Sequence, residues 1–257
     1  MLAGWQTRRL EACATNGRST GKFRPDSAIR YVGAHLLLWT TASLALAADL
    51  WTKHWAFTAL GRDESRLGWF GLVMYQRSLN DGALFGLGKG LVPLFIVASV
   101  LAVGFILYFF ACSHYKQRLL HLALAFVLAG ALGNMFDRMW LRADRVKLNS
   151  ETGEPKRLLG VVVGDPSADP IRIGSWPDGA DPQPYARKAL AELPRSLGIV
   201  RDFIKIRVQI AGHDVWPWVF NLADTLLVVG VAMLFIGFAF EHRTVAKGTP
   251  SGLPTTP

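Results

Sequence analysis

Charge is scarce in this chain: 18% of its 257 residues are charged and 51% are hydrophobic, with a mean hydropathy of +0.26. A soluble domain of this length normally carries more charge, so an ordinary water-soluble enzyme is excluded as the first reading. Cysteine is scarcer still, with only Cys13 and Cys112. Both fall on segments expected to be cytoplasmic, which excludes a disulfide framework for the outer loops and a thiol nucleophile on the outer side. No internal repeat is present, and no single span carries a closely spaced acidic cluster to hold a metal.

Four long apolar runs are present instead: Tyr31–Ala48, Leu91–Ala111, Leu119–Phe136 and Trp216–Phe240. Each is about 18 to 25 residues, enough to cross a hydrocarbon core of roughly 30 Å. The net charge of +9 suggests nucleic acid at first sight, but its placement suggests a membrane. Arg8, Arg9, Arg18, Lys22, Arg24 and Arg30 face only Glu11 and Asp26 in the N-terminal tail. Lys116 and Arg118 join spans two and three, and Arg243 and Lys247 follow span four. With four spans these segments share one side, which the positive-inside rule makes cytoplasmic. The connection between spans three and four holds about a dozen basic and about ten acidic residues. It exceeds roughly 60 residues, a length at which loop charge stops governing orientation. A rival reading takes Ala45-Leu46-Ala47 as a signal cleavage site. The long basic tail before it, and the odd span number that cleavage would leave, argue against that.

The runs therefore predict four transmembrane helices joined by outer loops; with the family resemblance given below, which implies a small periplasmic β-rich segment and makes the long loop a periplasmic insertion, the expected fold class is an all-α membrane protein. The expected layout is a cytoplasmic basic tail over 1–30 and a four-span domain over 31–240, with spans at about 31–53, 91–111, 119–138 and 216–240. The inserted loop occupies 142–198 and a cytoplasmic tail 241–257, its last part a disordered Gly/Pro/Thr stretch. Within the long loop, Leu158–Val163 reads as a short strand and Tyr185–Leu193 as a short helix. The alternation of Ile204, Ile206, Val208 and Ile210 with Lys205, Arg207 and Gln209 reads as a strand with one apolar face. Asp202 is expected just before it, and Ala211-Gly212-His213-Asp214 as the turn into span four.

Polar residues then gather at one membrane face. Asp49 and Lys53 are spaced i, i+4 at the outer end of span one. Asn134, Asp137 and Arg138 lie at the outer end of span three. Asn221 and Asp224 are i, i+3 in span four, and Asn80 and Asp202 belong to the outer loops. Asp224 reads as about two turns inside an apolar span, where an idle carboxylate is costly. Two carboxylates brought together share one proton, giving a general base for water and a general acid for a leaving amine. Nearby Asn and Arg side chains suit a peptide carbonyl and backbone. Such a site needs neither metal nor cofactor. Two other classes use membrane carboxylates, an ion-coupled transporter and a metal-dependent lipid transferase. The polar residues do not continue across the membrane, which disfavours a transport pathway.

At these residues the chain resembles the bacterial signal peptidase II family. The matching elements are Asp49-Leu50-Trp51-Thr52-Lys53, Asn80-Asp81-Gly82-Ala83-Leu84-Phe85, Gly130-Ala131-Leu132-Gly133-Asn134-Met135-Phe136-Asp137-Arg138, Val200-Arg201-Asp202-Phe203 and Phe220-Asn221-Leu222-Ala223-Asp224. The resemblance implies an inner-membrane aspartic endopeptidase that removes the signal peptide of diacylglyceryl-modified prolipoproteins just before the lipid-modified cysteine. It implies Asp202 and Asp224 as catalytic, and Asn80, Gly82, Asn134, Arg138 and Asn221 as substrate-binding. Asp49, Lys53 and Asp137 are implied as structural support. It further implies no metal or cofactor, a prolipoprotein substrate, contact with membrane phospholipid, no nucleic acid, a monomer, cytoplasmic termini and a periplasmic active site. Two departures stand out. About sixty residues separate Arg138 from Val200 where the family usually has about ten, which leaves open a lid, a partner-binding loop or a disordered bulge. Arg201 replaces a valine, and strand alternation points it to solvent.

Overall fold

The structure is a computed structural model that describes residues 25–61, 63–82, 92–149 and 156–247. The basic tail before residue 25, the Gly-rich stretch 83–91 and the tail after 247 lie outside the described residues. Among the described residues there are four α-helices: α1 Val32–Ala59, α2 Val92–Cys112, α3 Arg118–Trp140 and α4 Leu222–Lys247. Three of them, α1, α2 and α3, are long and apolar enough to cross a membrane. In α4 the apolar stretch runs over Leu222–Gly237. The helices leave large apolar side chains such as Leu44, Leu101 and Phe235 about 70% exposed, a surface suited to lipid and not to water. Cys112, at the end of α2, is disulfide-bonded.

The chain divides into two compact units. Residues 1–46, 102–131 and 225–257 make one; residues 47–101 and 132–224 make the other. In the first, Ser113 Oγ and His121 Nε2 lie 2.8 Å apart, and both residues are buried.

The second unit overturns the all-α reading. Its described residues form eleven strands: β1 Ser65–Gly68, β2 Val73–Asn80, β3 Arg142–Leu148, β4 Lys156–Val163, β5 Ile171–Ser175, β6 Ala180–Tyr185, β7 Leu190–Gly198, β8 Val200–Ile206, β9 Gln209–Ile210, β10 His213–Asp214 and β11 Val219–Phe220. They form an antiparallel sheet ordered β1-β2-β8-β11, another ordered β6-β5-β4-β3-β7, and a small β9-β10 ribbon. The inserted segment 142–198 is thus a five-stranded sheet and not a loop. Its apolar side carries Val146 and Ile171, both fully buried, which gives the segment a core of its own.

The expected strand at Leu158–Val163 is β4, but the expected helix at Tyr185–Leu193 is not formed. The segment is the end of β6, a single 3-10 turn at Arg187–Ala189 and the start of β7. Its Ala, Arg, Lys, Leu and Glu favour a helix, yet pairing of β7 with β3 along Arg142↔Gly198 to Leu148↔Leu190 prevails. Pro194 is tolerated because β7 is the sheet's edge strand.

The alternating run after residue 200 also divides differently. Asp202 lies inside β8, not before it, and faces Ser78 of β2. Asn80 pairs with Val200 in the same ladder, so the register puts Asn80 beside Asp202. Ala211 and Gly212, both at positive φ (51° and 79°), turn β9 into β10; they do not lead directly into α4. The chain reaches α4 only after Trp216-Pro217-Trp218 and β11.

Candidate active site

Every residue expected at the site lies in the second unit. The helix start at Asn221 organises it. Asn221 Oδ1 accepts the backbone N–H of Asp224 at 3.0 Å, and the Asp224 carboxylate accepts the backbone N–H of Asn221 at 3.3 Å. This is a reciprocal capping box on the first turn of α4. Asp224 is therefore at the mouth of the helix, not two turns inside it, because α4 begins at Leu222 and not near Trp216. The helix dipole favours a carboxylate there.

Two amides tie Asp224 to Asp202. Asn221 Nδ2 donates to Asp202 Oδ1 at 2.7 Å and to Asn134 Oδ1 at 3.1 Å. Asn134 Nδ2 in turn donates to Asp224 Oδ1 at 2.8 Å. Asp202 Oδ2 accepts Asn80 Nδ2 at 2.9 Å, and Asn80 Oδ1 takes the backbone N–H of Gly82 at 2.8 Å. Asp202 is 2% exposed and Asp224 8%. Burial, and then the Asp224 charge, push the Asp202 carboxyl up from its ordinary 3.8 to about 8, against the opposing hydrogen bonds of Asn80 and Asn221.

A layer of ion pairs supports these groups. Asp49 Oδ2 accepts Lys53 Nζ at 2.8 Å, and Asp49 Oδ1 accepts the backbone N–H of Ala223 at 2.8 Å. One carboxylate on α1 thereby holds the first turn of α4. Lys53, fully buried, also donates to Asn134 Oδ1 at 3.1 Å and lies 3.7 Å from Asp137. Arg138 Nη2 donates to the carbonyl of Gly82 at 3.0 Å, fastening the turn that carries Asn80. The rest of that motif, residues 83–85, lies outside the described residues.

Arg201 departs from expectation. Its guanidinium meets Asp137 through Nη2 at 2.8 Å and Nε at 3.2 Å, and its side chain is 11% exposed. The fully buried Asp137 draws it inward, since a lone carboxylate there is costly.

Three contributors were not singled out by sequence. Gly133 has no side chain because a Cβ would collide with Asp49 Oδ2 and press on Ala223. Its place in Gly-Ala-Leu-Gly-Asn was the available signal. Asp81, 7% exposed, pairs with Arg145 of β3 at 3.3 Å. Nothing in the sequence pattern points to Arg145. Asp202 and Asp224 line one cavity of about 480 Å³, together with Asn80, Trp216, Trp218 and Phe220 of the motif-bearing segments. Arg145, Arg157 and Leu159 of the inserted sheet line it too. Among the described residues, no group of His, Cys, Asp and Glu has the arrangement of a metal site.

The site can thus offer two buried carboxylates, one protonated near neutral pH, within a cavity bordered by amide donors. Residues 41–240 match the family described as signal peptidase (SPase) II. The lipoprotein signal peptidase of Shouchella clausii is 35% identical over 119 residues, which cover 46% of this chain and 78% of that protein. That of Desulfitobacterium hafniense is 25% identical over 169 residues, 66% of this chain and 70% of the relative. A solved bacterial membrane enzyme, determined by the in meso method at 2.3 Å resolution, shares the fold. Its TM-score is 0.54 at 19% identity, covering 87% of this chain and 96% of that one.

Proposed function

We propose an aspartic mechanism for this chain, which belongs to the signal peptidase (SPase) II family and is therefore a membrane peptidase of lipoprotein processing. The substrate is a diacylglyceryl-modified prolipoprotein, cut just before the lipid-modified cysteine. Asp202 carries the shared proton, and Asp224, favoured as carboxylate by the α4 N-terminus, acts as general base. Asp224 takes a proton from water, whose oxygen adds to the scissile carbonyl carbon while Asp202 protonates the carbonyl oxygen. The tetrahedral gem-diol then collapses: the C–N bond breaks, the proton held by Asp224 passes to the leaving amine, and one hydroxyl proton returns to Asp202, restoring both carboxyls to their starting states. Water is consumed, and one carboxyl and one amine are produced.

Asn80, Gly82, Asn134, Arg138 and Asn221 border the substrate, Arg138 acting through the Gly82 carbonyl it holds. Asp49, Lys53 and Asp137 keep the two carboxylates in register. The enzyme sits in the bacterial inner membrane among phospholipids, as a monomer, with both tails cytoplasmic and the dyad toward the periplasm. The observation that carries this reading is the pair of bridging amides, Asn221 and Asn134, that joins Asp202 to Asp224.

Asp202→Asn and Asp224→Asn, purified and assayed on a diacylated prolipoprotein, should each lose at least about a thousandfold in kcat. Near wild-type cleavage by either variant would sink the assignment of the dyad.

A further inference from the structure

The sheet formed by residues 142–198 has two unlike sides. Strand alternation and the pairs Arg145↔Leu159, Lys147↔Arg157 and Arg145↔Arg195 put Arg145, Lys147, Arg157 and Arg195 on one side. This is the side that lines the dyad's cavity, through Arg145, Arg157 and Leu159. Part of its charge is answered within the protein: Lys147 pairs with Glu192 at 2.5 Å, and Arg145 with Asp81. Arg157 and Arg195 are exposed. Arg195 stands directly across from Arg145, a like-charge pairing that the Glu192 carboxylate, shared with Lys147 and within electrostatic reach of both arginines, answers only in part. A substrate-facing wall that concentrates guanidinium groups selects carboxylates, which Arg binds in a planar, bidentate geometry.

We propose that this side of the inserted sheet is a specificity subsite for acidic side chains in the substrate polypeptide. The inference rests on the peptidase reading above. The sheet is built of polar, charge-bearing strands, which are excluded from hydrocarbon. It therefore meets the part of the substrate that leaves the membrane on the water side of the scissile bond. Asp or Glu in that segment seats against Arg157 and Arg195, while the lipid-modified end approaches Asp202 and Asp224.

The test uses the full chain in zwitterionic detergent and two diacylated prolipoproteins identical except for Asp/Glu or Asn/Gln in the segment after the modified cysteine. The wild type should cleave the acidic substrate with kcat/KM about fivefold higher, through KM. Arg157→Gln combined with Arg195→Gln should bring that ratio toward unity. Arg157→Glu with Arg195→Glu should invert the preference, favouring a third substrate with Lys at the same positions; a merely misfolded sheet does not invert a preference. Equal wild-type rates on the acidic and neutral substrates overturn the subsite while leaving the peptidase intact. Cleavage of neither substrate overturns the peptidase reading and the subsite with it. A variant effect that is the same for both substrates and appears only when anionic phospholipid is added also overturns it, in favour of a lipid-binding face.

Discussion

The side-chain amide of Asn221 donates to Asp202 at 2.7 Å. The same side chain caps Asp224 through its oxygen, so one residue fixes the distance and orientation between the two carboxylates. Asn221→Ala removes both bonds and the N-cap of α4. The expected result is a loss of about 1 to 2 kcal/mol in stability, typical of an N-cap, and a fall in kcat of a hundredfold or more. Asn221→Asp restores the cap but adds a charge beside the dyad, so it should recover stability and not activity. Thermal unfolding and steady-state kinetics on the two variants separate these effects.

The raised carboxyl of Asp202 sets a pH dependence. Its folded value of about 8 exceeds the ordinary 3.8, so the folded chain keeps a proton that the unfolded chain releases. Stability therefore falls as pH rises between those two values. Asp202→Asn removes the ionisable group, and its Tm should exceed that of the wild type by a widening margin toward pH 8. Catalysis needs that same proton, so kcat should decline above about pH 8. Melting curves and rate profiles across the range check both limbs.

Gly133 should tolerate no side chain. A Cβ there collides with the carboxylate of Asp49, which holds both Lys53 and the Ala223 N–H. Gly133→Ala is expected to cost about 1 to 3 kcal/mol by overpacking. It should also lower kcat more than it raises KM, because the first turn of α4 shifts with Asp49. A variant with unchanged Tm and activity would show that Asp49 has room to move.

Arg201→Ala strips Asp137 of its bidentate partner and leaves it the backbone N–H of residue 201 at 3.1 Å and Lys53 at 3.7 Å. Roughly 2 to 4 kcal/mol of stability should be lost, because a buried carboxylate keeps its desolvation cost when a partner goes. Arg201→Lys should recover only part of it, since a point charge cannot replace the planar fork. Denaturant unfolding measures both. Activity at a temperature where the variants stay folded should change less than tenfold, as Arg201 touches Asp137 and not the dyad.

Much of this site was legible from residue types and spacing. Asp49 with Lys53, and Asn221 with Asp224, are separated by one helical turn, and each pair meets in the structure. What was not legible depended on partners distant in sequence. Arg201 alternates toward solvent if β8 is considered alone; the buried Asp137 on α3 reverses that. Tyr185–Leu193 favours a helix locally, and pairing with β3 draws its second half, from Leu190, into an edge strand. The depth of Asp224 was misread because Trp216–Phe220 is as apolar as the helix that follows. Only the side chain of Asn221 marks where α4 begins. The all-α reading failed for the same reason: strands β3–β7 contain little strict alternation, and their pairing is visible only in three dimensions.

The capping box on α4 makes the proposed base part of the scaffold. Asp224 cannot gain a proton without weakening its hold on the Asn221 N–H. Each turnover therefore leaves a transient mark on a backbone amide one helical turn from the chemistry. A nitrogen label placed at Asn221 would make that amide an internal indicator of the base's charge, readable in the intact protein without attaching a probe to the cavity.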